Sequence, residues 1–419
     1  MRILVLGSGA REHAIITALL AENTDHKIFA APGNAGIAAE ATTVALDPVD
    51  PTVVANFALD NNIELVVVGP EAPLIAGVAD TLRVRGIPVF GPGKLAAAIE
   101  GSKMTAKRLM AAAKVPTARA IRASTLAEVH SALAEFGAPF VVKADGLAAG
   151  KGVLVSSDRD EIEAHAAQWL RNGDVLVEEF LDGDEVSLFL LSDGHTVVPL
   201  APARDYKRLG TANTGPNTGG MGSYSPLPWL PEGFVNEVVE NIGLPIVRLL
   251  AHEQTPFIGL LYCGLIITPN GIRVIEFNAR FGDPETQVVL ARLVTPLSTL
   301  LMASATGSLA SVPWPEFRLD VAVTVVVANE GYPDHPVTGR AIRGLTDAAT
   351  IPGVTIMHAA TERDDNGNVI ATGGRVLNVV ASGTDFVEAR RRAYEAVRCL
   401  ELEGMQYRTD IAGQVEQGA

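Results

Sequence analysis

Over residues 1–101 short apolar runs at 3–6, 27–31, 65–68 and 89–90 alternate with stretches of helical period such as 11–20 and 51–60. Apolar runs of this length, bounded by glycine or proline and spaced by helices, predict parallel strands with crossover helices, a Rossmann-like α/β unit. A second pattern begins near Ser102, with a helix through Lys114 and strands over 140–143 and 152–156 that flank the glycine-rich segment 144–151. Two strands joined in this way predict a glycine-rich flap. Strands over 175–180 and 185–191 are expected to continue that sheet, with 181–184 as their connection. From 199 to 231 the periodicity breaks down into Pro, Gly, Asn and Thr, a loop long enough to suggest a functional lid. Regular structure returns with a helix over 235–252 and strands over 258–268 and 272–277. A proline-rich linker at 312–316 precedes a last α+β segment ending in a helix over 386–400.

The expected organisation is α/β and α+β with several cores, since 419 residues exceed what one compact core accommodates. Residues 1–101 form the N-terminal Rossmann-like unit. Residues 102–313 form the central unit, with a flap subdomain at about 115–182, and 314–419 form a small C-terminal α+β unit.

Composition narrows the function classes. With 48% hydrophobic and 19% charged residues the chain reads as globular, and its long apolar stretches, such as 321–328, are far short of a membrane span. The first residues lack the apolar core and cleavage site of a signal peptide, so a cytoplasmic protein is expected. A net charge of −15 repels a phosphate backbone and no basic patch offsets it, so no nucleic-acid partner is expected. Cys263 and Cys399 stand alone and read as reduced thiols; the eight histidines contain no His-x-x-x-His pair. Any metal is then held by oxygen.

Three segments carry candidate chemistry. Gly7-Ser8-Gly9-Ala10-Arg11-Glu12 sits between a strand and a helix, as a dinucleotide fingerprint requires, yet Glu12 replaces the third glycine and no acidic residue ends the second strand. A phosphate or sugar phosphate could still bind the helix N-terminus; the alternative is that the glycines only permit a tight turn. Gly146-Leu147-Ala148-Ala149-Gly150-Lys151-Gly152 is one residue short of a P-loop, and Gly152 occupies the Mg²⁺-binding Ser/Thr position. A flap lysine there suits closure over a triphosphate. In Glu276-Phe277-Asn278-Ala279-Arg280 the alternate residues of a strand share a face, so a carboxylate and an amide oxygen, hard ligands for Mg²⁺, project with Arg280 while Phe277 packs behind. Asp283 and Glu285 follow at once.

A lysine strand, glycine flap, hinge and Glu-x-Asn-x-Arg strand in this order resemble the ATP-grasp fold. Six strings in order are similar to the phosphoribosylamine–glycine ligase family: 7–14, 31–36, 69–74, 143–152, 215–222 and 276–285. The resemblance covers nearly the whole chain. It implies ATP-dependent activation of glycine as an acyl phosphate and its transfer to 5-phosphoribosylamine, giving glycinamide ribonucleotide, ADP and phosphate in purine synthesis. Mg²⁺ or Mn²⁺ is implied as the metal, and the sequence leaves a monomer open as the oligomeric state.

Carried over by position, the resemblance places Lys103, Lys143 and Lys151 at the ATP phosphates and Glu178 at the adenine amino group. Glu179 and Leu181 lie at the hinge, Glu185 at the ribose, and Glu276 and Asn278 at the metal. Lys143, Lys151, Arg280 and Asp283 are implied as catalytic. Gly9, Asn34, Glu71, Asp205, Lys207, Asn217 and Thr218 are implied to border the substrates. The chain departs from the family pattern at Tyr206, where histidine is expected, and at Thr211-Ala212-Asn213, where acidic residues are usual. Competing readings are an ATP-grasp ligase with another acceptor, a non-catalytic nucleotide-binding regulator, and a nicotinamide dehydrogenase.

Overall fold

The computed structural model describes residues 1–146 and 152–416. Its N-terminal sheet is wholly parallel, in the order Thr42–Thr43, Lys27–Pro32, Arg2–Gly7, Leu65–Val68, Val89–Phe90. The inner strands Arg2–Gly7 and Leu65–Val68 are buried on both faces, which is why they read as continuous apolar runs without alternation. Helices Ala10–Leu20 and Pro51–Asp60 cross over them, the second capped by Asp50, whose side chain accepts from Thr52 and Val53 N–H.

The central part contains two four-stranded sheets rather than one. Val175–Glu178 lies between Ala120–Ala123 and Phe140–Ala144 in the flap sheet, with Val153–Ser156 at its edge. Asp184–Asp193 belongs to the other sheet, between Val197–Pro199 and Ile258–Thr268, with Gly271–Asn278 at the edge. The expectation that 185–191 continues the sheet of 175–180 is corrected. The five residues between the strands are a hinge, held on one side by Glu179 N–H donating to Arg119 O at 3.0 Å.

The span 199–231, expected as a lid without regular structure, also differs. It carries the short strands Arg204–Asp205, Arg208–Gly210, Thr214–Asn217 and Gly222–Ser225. Gly222–Ser225 is fully buried and pairs with Val321–Ala328 in the C-terminal sheet, whose order is Arg204–Asp205, Gly222–Ser225, Val321–Ala328, Arg375–Gly383, Val354–His358. Helix Phe386–Cys399 packs its apolar face on this sheet. The helix expected over 235–252 is present with one wide turn, Val239–Gly243, between Phe234–Val238 and Leu244–His252. That turn precedes Pro245, which has no N–H to continue the α ladder.

Candidate active site

The first group of candidate residues lies where the two central sheets face each other. Strand Gly271–Asn278 pairs with Ile258–Thr268 through a bulge: Glu276 opposes Gly264 and Val274 opposes Leu265, leaving Ile275 unpaired. A bulge re-aims the groups at its position. The freed Ile275 carbonyl accepts from Lys143 Nζ at 3.4 Å, across from the flap sheet. Beyond the bulge Glu276 and Asn278 are half-buried on one side, with Phe277 buried behind them.

Lys143 is itself buried, and its charge is matched by Glu178 Oε2 at 2.9 Å; the same carboxylate meets Lys107 Nζ at 3.2 Å. The side chain expected at the adenine amino group is thus held between two ammonium groups. Lys103 donates to Gly146 O at 3.0 Å, and its pKa is lowered by burial despite the charge of Glu276. Glu179 is taken up by Arg119, Oε1 accepting from its N–H and Oε2 from Nε, both at 2.9 Å. Leu181 lies in the hinge, and Glu185, just past it, pairs with Lys207 Nζ at 2.5 Å. Lys207 holds Glu185 below the usual carboxylate range; Glu185 in turn, with Glu276 and Asp205, holds Lys207 above the usual ammonium range against the effect of burial. Lys151 falls outside the described residues.

A second group of charges lies where the N-terminal unit abuts the strand end. Arg280 is beyond the strand, and its guanidinium turns to the N-terminal unit, Nη2 lying 3.1 Å from Glu100 Oε1 and Nε 3.5 Å from Glu71 Oε2. Glu100 also accepts from Ala279 N–H at 2.7 Å. Burial raises Glu100, whereas Glu71, though also raised by burial, is brought below its usual value by Arg280 and Arg11. Asp283 is fixed by Arg375 Nη2 at 3.1 Å and by Gln287 Nε2 at 2.8 Å. Burial pushes its carboxyl up, but Arg375 and Arg11 outweigh that and keep it below the ordinary range. Arg375 Nη1 also donates to Asp283 O at 2.7 Å and to Gly219 O of the lid at 2.5 Å.

The lid packs onto this group. At Gly220, φ is +109° and an added Cβ would lie 2.4 Å from Pro284 Cδ and 2.7 Å from Asp205 Oδ1, so only glycine fits. Burial and the nearby Glu285 raise Asp205 well above the carboxylate range. Thr218 Oγ1 bonds Lys207 O at 2.7 Å, and Asn217 Nδ2 donates to Val153 O of the flap sheet at 3.3 Å. Gly9 is close enough that a Cβ there would be 3.9 Å from Asp283 Oδ2.

Two N-terminal assignments acquire structural content. Glu12, buried, receives Gly9 N–H at 2.5 Å and Arg11 Nε at 2.7 Å, and added Cβ atoms on Gly7, Gly9 and Gly69 would all collide with it. The glycines at 7, 9 and 69 thus make room for the Glu12 side chain. Asn34 spends all of its amide internally, donating to Ser8 O and His358 O at 2.9 Å and accepting from Gly36 and Ile37 N–H. It shapes the loop rather than offering a free group.

Sequence reasoning missed Lys107, Glu100, Arg375 and Tyr332, whose hydroxyl accepts from Gly219 N–H at 2.9 Å. Lys107 lies one turn after Lys103, a spacing that puts both on one helix face. The other three carry no local signal, because their partners are 92–180 residues away.

Oxygen donors suited to Mg²⁺ are present in Glu276 and Asn278, whose side chains make no hydrogen bond among the described residues. Among the described residues no group of three or more His, Cys, Asp or Glu side chains gathers there; an ion held by these two donors would take the rest of its shell from phosphate oxygens and water.

Three family models match in succession: the N domain of phosphoribosylglycinamide synthetase over residues 1–100, its ATP-grasp (A) domain over 101–286, and its C domain over 322–414. The phosphoribosylamine–glycine ligase of Leifsonia xyli subsp. xyli is 68% identical over 98% of the chain and 99% of its own length. That of Streptomyces coelicolor is 55% identical over the same shares. The crystal structure of the phosphoribosylamine–glycine ligase of Thermotoga maritima superposes with a TM-score of 0.83 at 33% identity, covering 98% of this chain and all of that one. With the hinge, the metal-type strand and the lid each in place, these matches along the whole chain show that it belongs to the phosphoribosylamine–glycine ligase (phosphoribosylglycinamide synthetase) family of ATP-grasp ligases.

Proposed function

We propose that the chain joins glycine to 5-phosphoribosylamine in purine synthesis, with cleavage of ATP to ADP and phosphate. The observation that carries this reading is the path from Asn278 to Glu71. Arg280, two residues past the metal-type face, is paired with the N-terminal unit, so phosphoryl transfer and the acceptor loops are connected within one short peptide.

A carboxylate has no leaving group that an amine can displace, and phosphorylation supplies one. Lys103 and Lys143, with Lys151 of the flap, are assigned to the ATP phosphates. Glu179 and Leu181 are assigned to adenine through the hinge backbone, and Glu185 to the ribose. A Mg²⁺ or Mn²⁺ ion held by Glu276 and Asn278 would neutralise phosphate charge. Arg280 and Asp283 are placed beside the glycine carboxylate and its acyl phosphate, where a planar cation and a fixed anion can orient a zwitterionic amino acid. Gly9, Glu71, Asp205, Lys207, Asn217 and Thr218 border the acceptor. Its amine attacks the acyl carbon, the carbon–oxygen bond to phosphate breaks, and the amine loses a proton.

Among the described residues no helix is long and apolar enough to cross a membrane. The chain is proposed to act in the cytoplasm. The test is ADP formation with phosphoribosylamine and glycine, alanine, formate or bicarbonate. Glycine should support turnover and alanine poorly, since an added methyl group meets packed lid backbone at a cost of ~1–3 kcal/mol. Turnover with formate or bicarbonate but not glycine would overturn the assignment.

A further inference from the structure

The segment where the chain departs from its family pattern, 206–213, is gripped by residues from its far end. Arg408 is buried, 1% exposed, though nothing in a local reading of residues 405–412 suggests an inward-facing charge. Its guanidinium lies over the Tyr206 ring, 4.7 Å from the centroid, and uses every edge. Nε and Nη2 hold Asp410 at 2.8 and 2.6 Å, while Nη1 donates to Arg208 O at 3.1 Å and Asn213 Oδ1 at 2.9 Å. The grip continues on both sides. Ala412 N–H donates to the Tyr206 hydroxyl at 2.9 Å, Ala212 N–H donates to Asp410 Oδ2 at 2.9 Å, and the Thr211 and Thr409 hydroxyls meet at 3.1 Å.

What is gripped matters because Tyr206 stands between Asp205 and Lys207 and supports the lid through its backbone. Tyr206 N–H donates to Gly222 O at 3.0 Å, Met221 N–H to Tyr206 O at 2.8 Å, and Thr218 N–H to Lys207 O at 2.8 Å. Burying a guanidinium is costly unless all its donors are satisfied, and an aliphatic side chain would fill the same space without that cost. The planar fork supplies direction instead: it fixes Asp410, the 208 carbonyl and the Asn213 amide at set angles to the Tyr206 ring.

We propose that Arg408 is a positioning residue for the ligation, holding Tyr206 so that Asp205, Lys207 and the 217–220 lid keep their places at the substrate side of the site. The inference rests on the glycine ligase reading for what those residues bind. Arg408 itself touches none of the assigned nucleotide groups.

The test compares full-length Arg408→Met, Arg408→Lys and Tyr206→Phe with the unsubstituted enzyme. The readouts are the thermal midpoint, equilibrium binding of ADP, and kcat and KM for glycine and phosphoribosylamine at saturating ATP. Misplacing substrate-side groups should lower kcat/KM for both substrates about ten- to hundredfold in Arg408→Met, while ADP binding, reached only through the Lys207–Glu185 pair, should weaken by no more than about threefold. Arg408→Lys, which keeps charge but loses the fork, should recover only part of the loss. Tyr206→Phe removes one oxygen and should fold even if Arg408→Met does not; it should show the same one-sided loss, smaller in size. The proposal is overturned if a folded Arg408→Met keeps its kcat/KM, if Tyr206→Phe leaves both substrates unaffected, or if ADP binding falls in parallel. Failure of the underlying reading would look different, as an unsubstituted enzyme that makes no glycinamide ribonucleotide.

Discussion

Arg375 Nη2 lies 3.1 Å from Asp283 Oδ2, while Nη1 of the same guanidinium donates to the carbonyls of Asp283 and Gly219. One side chain from the C-terminal sheet thus fixes the acid that follows the metal-type strand and the lid that packs over it. Replacing it by methionine would leave Asp283 buried with its strongest counter-charge gone, a loss of ~2–5 kcal/mol for comparable buried pairs. Arg375→Met should therefore lower kcat/KM by at least about thirtyfold. The sign of the pH effect is also set. A carboxyl depressed in the folded state contributes stability above its unfolded pKa and loses it as pH falls through the folded value. Without Arg375 the folded value rises, so the acid limb of the stability profile should move to higher pH; an unmoved limb would contradict the pairing.

Glu276 is the one carboxylate of its strand, on the half-buried face it shares with Asn278. Glu276→Gln keeps shape and removes charge, so turnover should fall by roughly two orders of magnitude or more. Titration with Mg²⁺ should not restore it. Near-normal turnover at saturating Mg²⁺ in the folded variant would remove Glu276 from the metal site.

Glu178 is the shared counter-ion of Lys143 and Lys107, and all three side chains are at most 15% exposed. Removing it strands two ammonium groups in a buried setting, which costs about 3 kcal/mol or more. Glu178→Ala should lower the chemical-denaturation free energy by that amount and raise KM for ATP as Lys143 loses its alignment. Double substitution with Lys107→Met should restore part of the stability, since one of the stranded charges is then absent.

His358 N–H donates to His13 Nδ1 at 2.8 Å across the contact between the C-terminal sheet and helix Ala10–Leu20. Burial, then the neighbouring His13, lowers the His358 imidazole to about 4. Between that value and its unfolded value near 6.5 the unfolded chain binds a proton that the folded chain refuses. Stability from this group is thus complete above about pH 6.5 and is lost as pH falls to about 4, by ~3 kcal/mol in total. Denaturation midpoints at pH 7 and 4.5 should differ less in His358→Gln than in the unsubstituted protein.

Much of this was legible in advance for a physical reason: strands such as 258–268 announce themselves by a continuous apolar run and helices such as 51–60 by local period, and the Glu276–Asn278 face follows from alternation alone. The bulge at Ile275 does not, because it is a property of the partner strand's register. Nor could the division of 175–178 and 184–193 between two sheets be read, since both have the same apolar signature and only their neighbours differ. The buried strand at 222–225 was hidden by its composition: Gly-Ser-Tyr-Ser lacks a β-rich run, and its place is fixed by pairing with 321–328. Arg375 and Arg408 read as surface charges until their distant partners are known.

The pairing of Gly222–Ser225 with Val321–Ala328 also governs what happens if the chain is broken. A protease cut in the proline-rich stretch before 321 would not release an accessory domain from a working core. It would separate two halves of one sheet, leaving the larger piece with a bare row of N–H and C=O groups along the strand that ends the lid. Such an edge pairs with whatever strand it meets, so the separated pieces should either find each other again or aggregate, and neither should be recoverable alone as a soluble fragment.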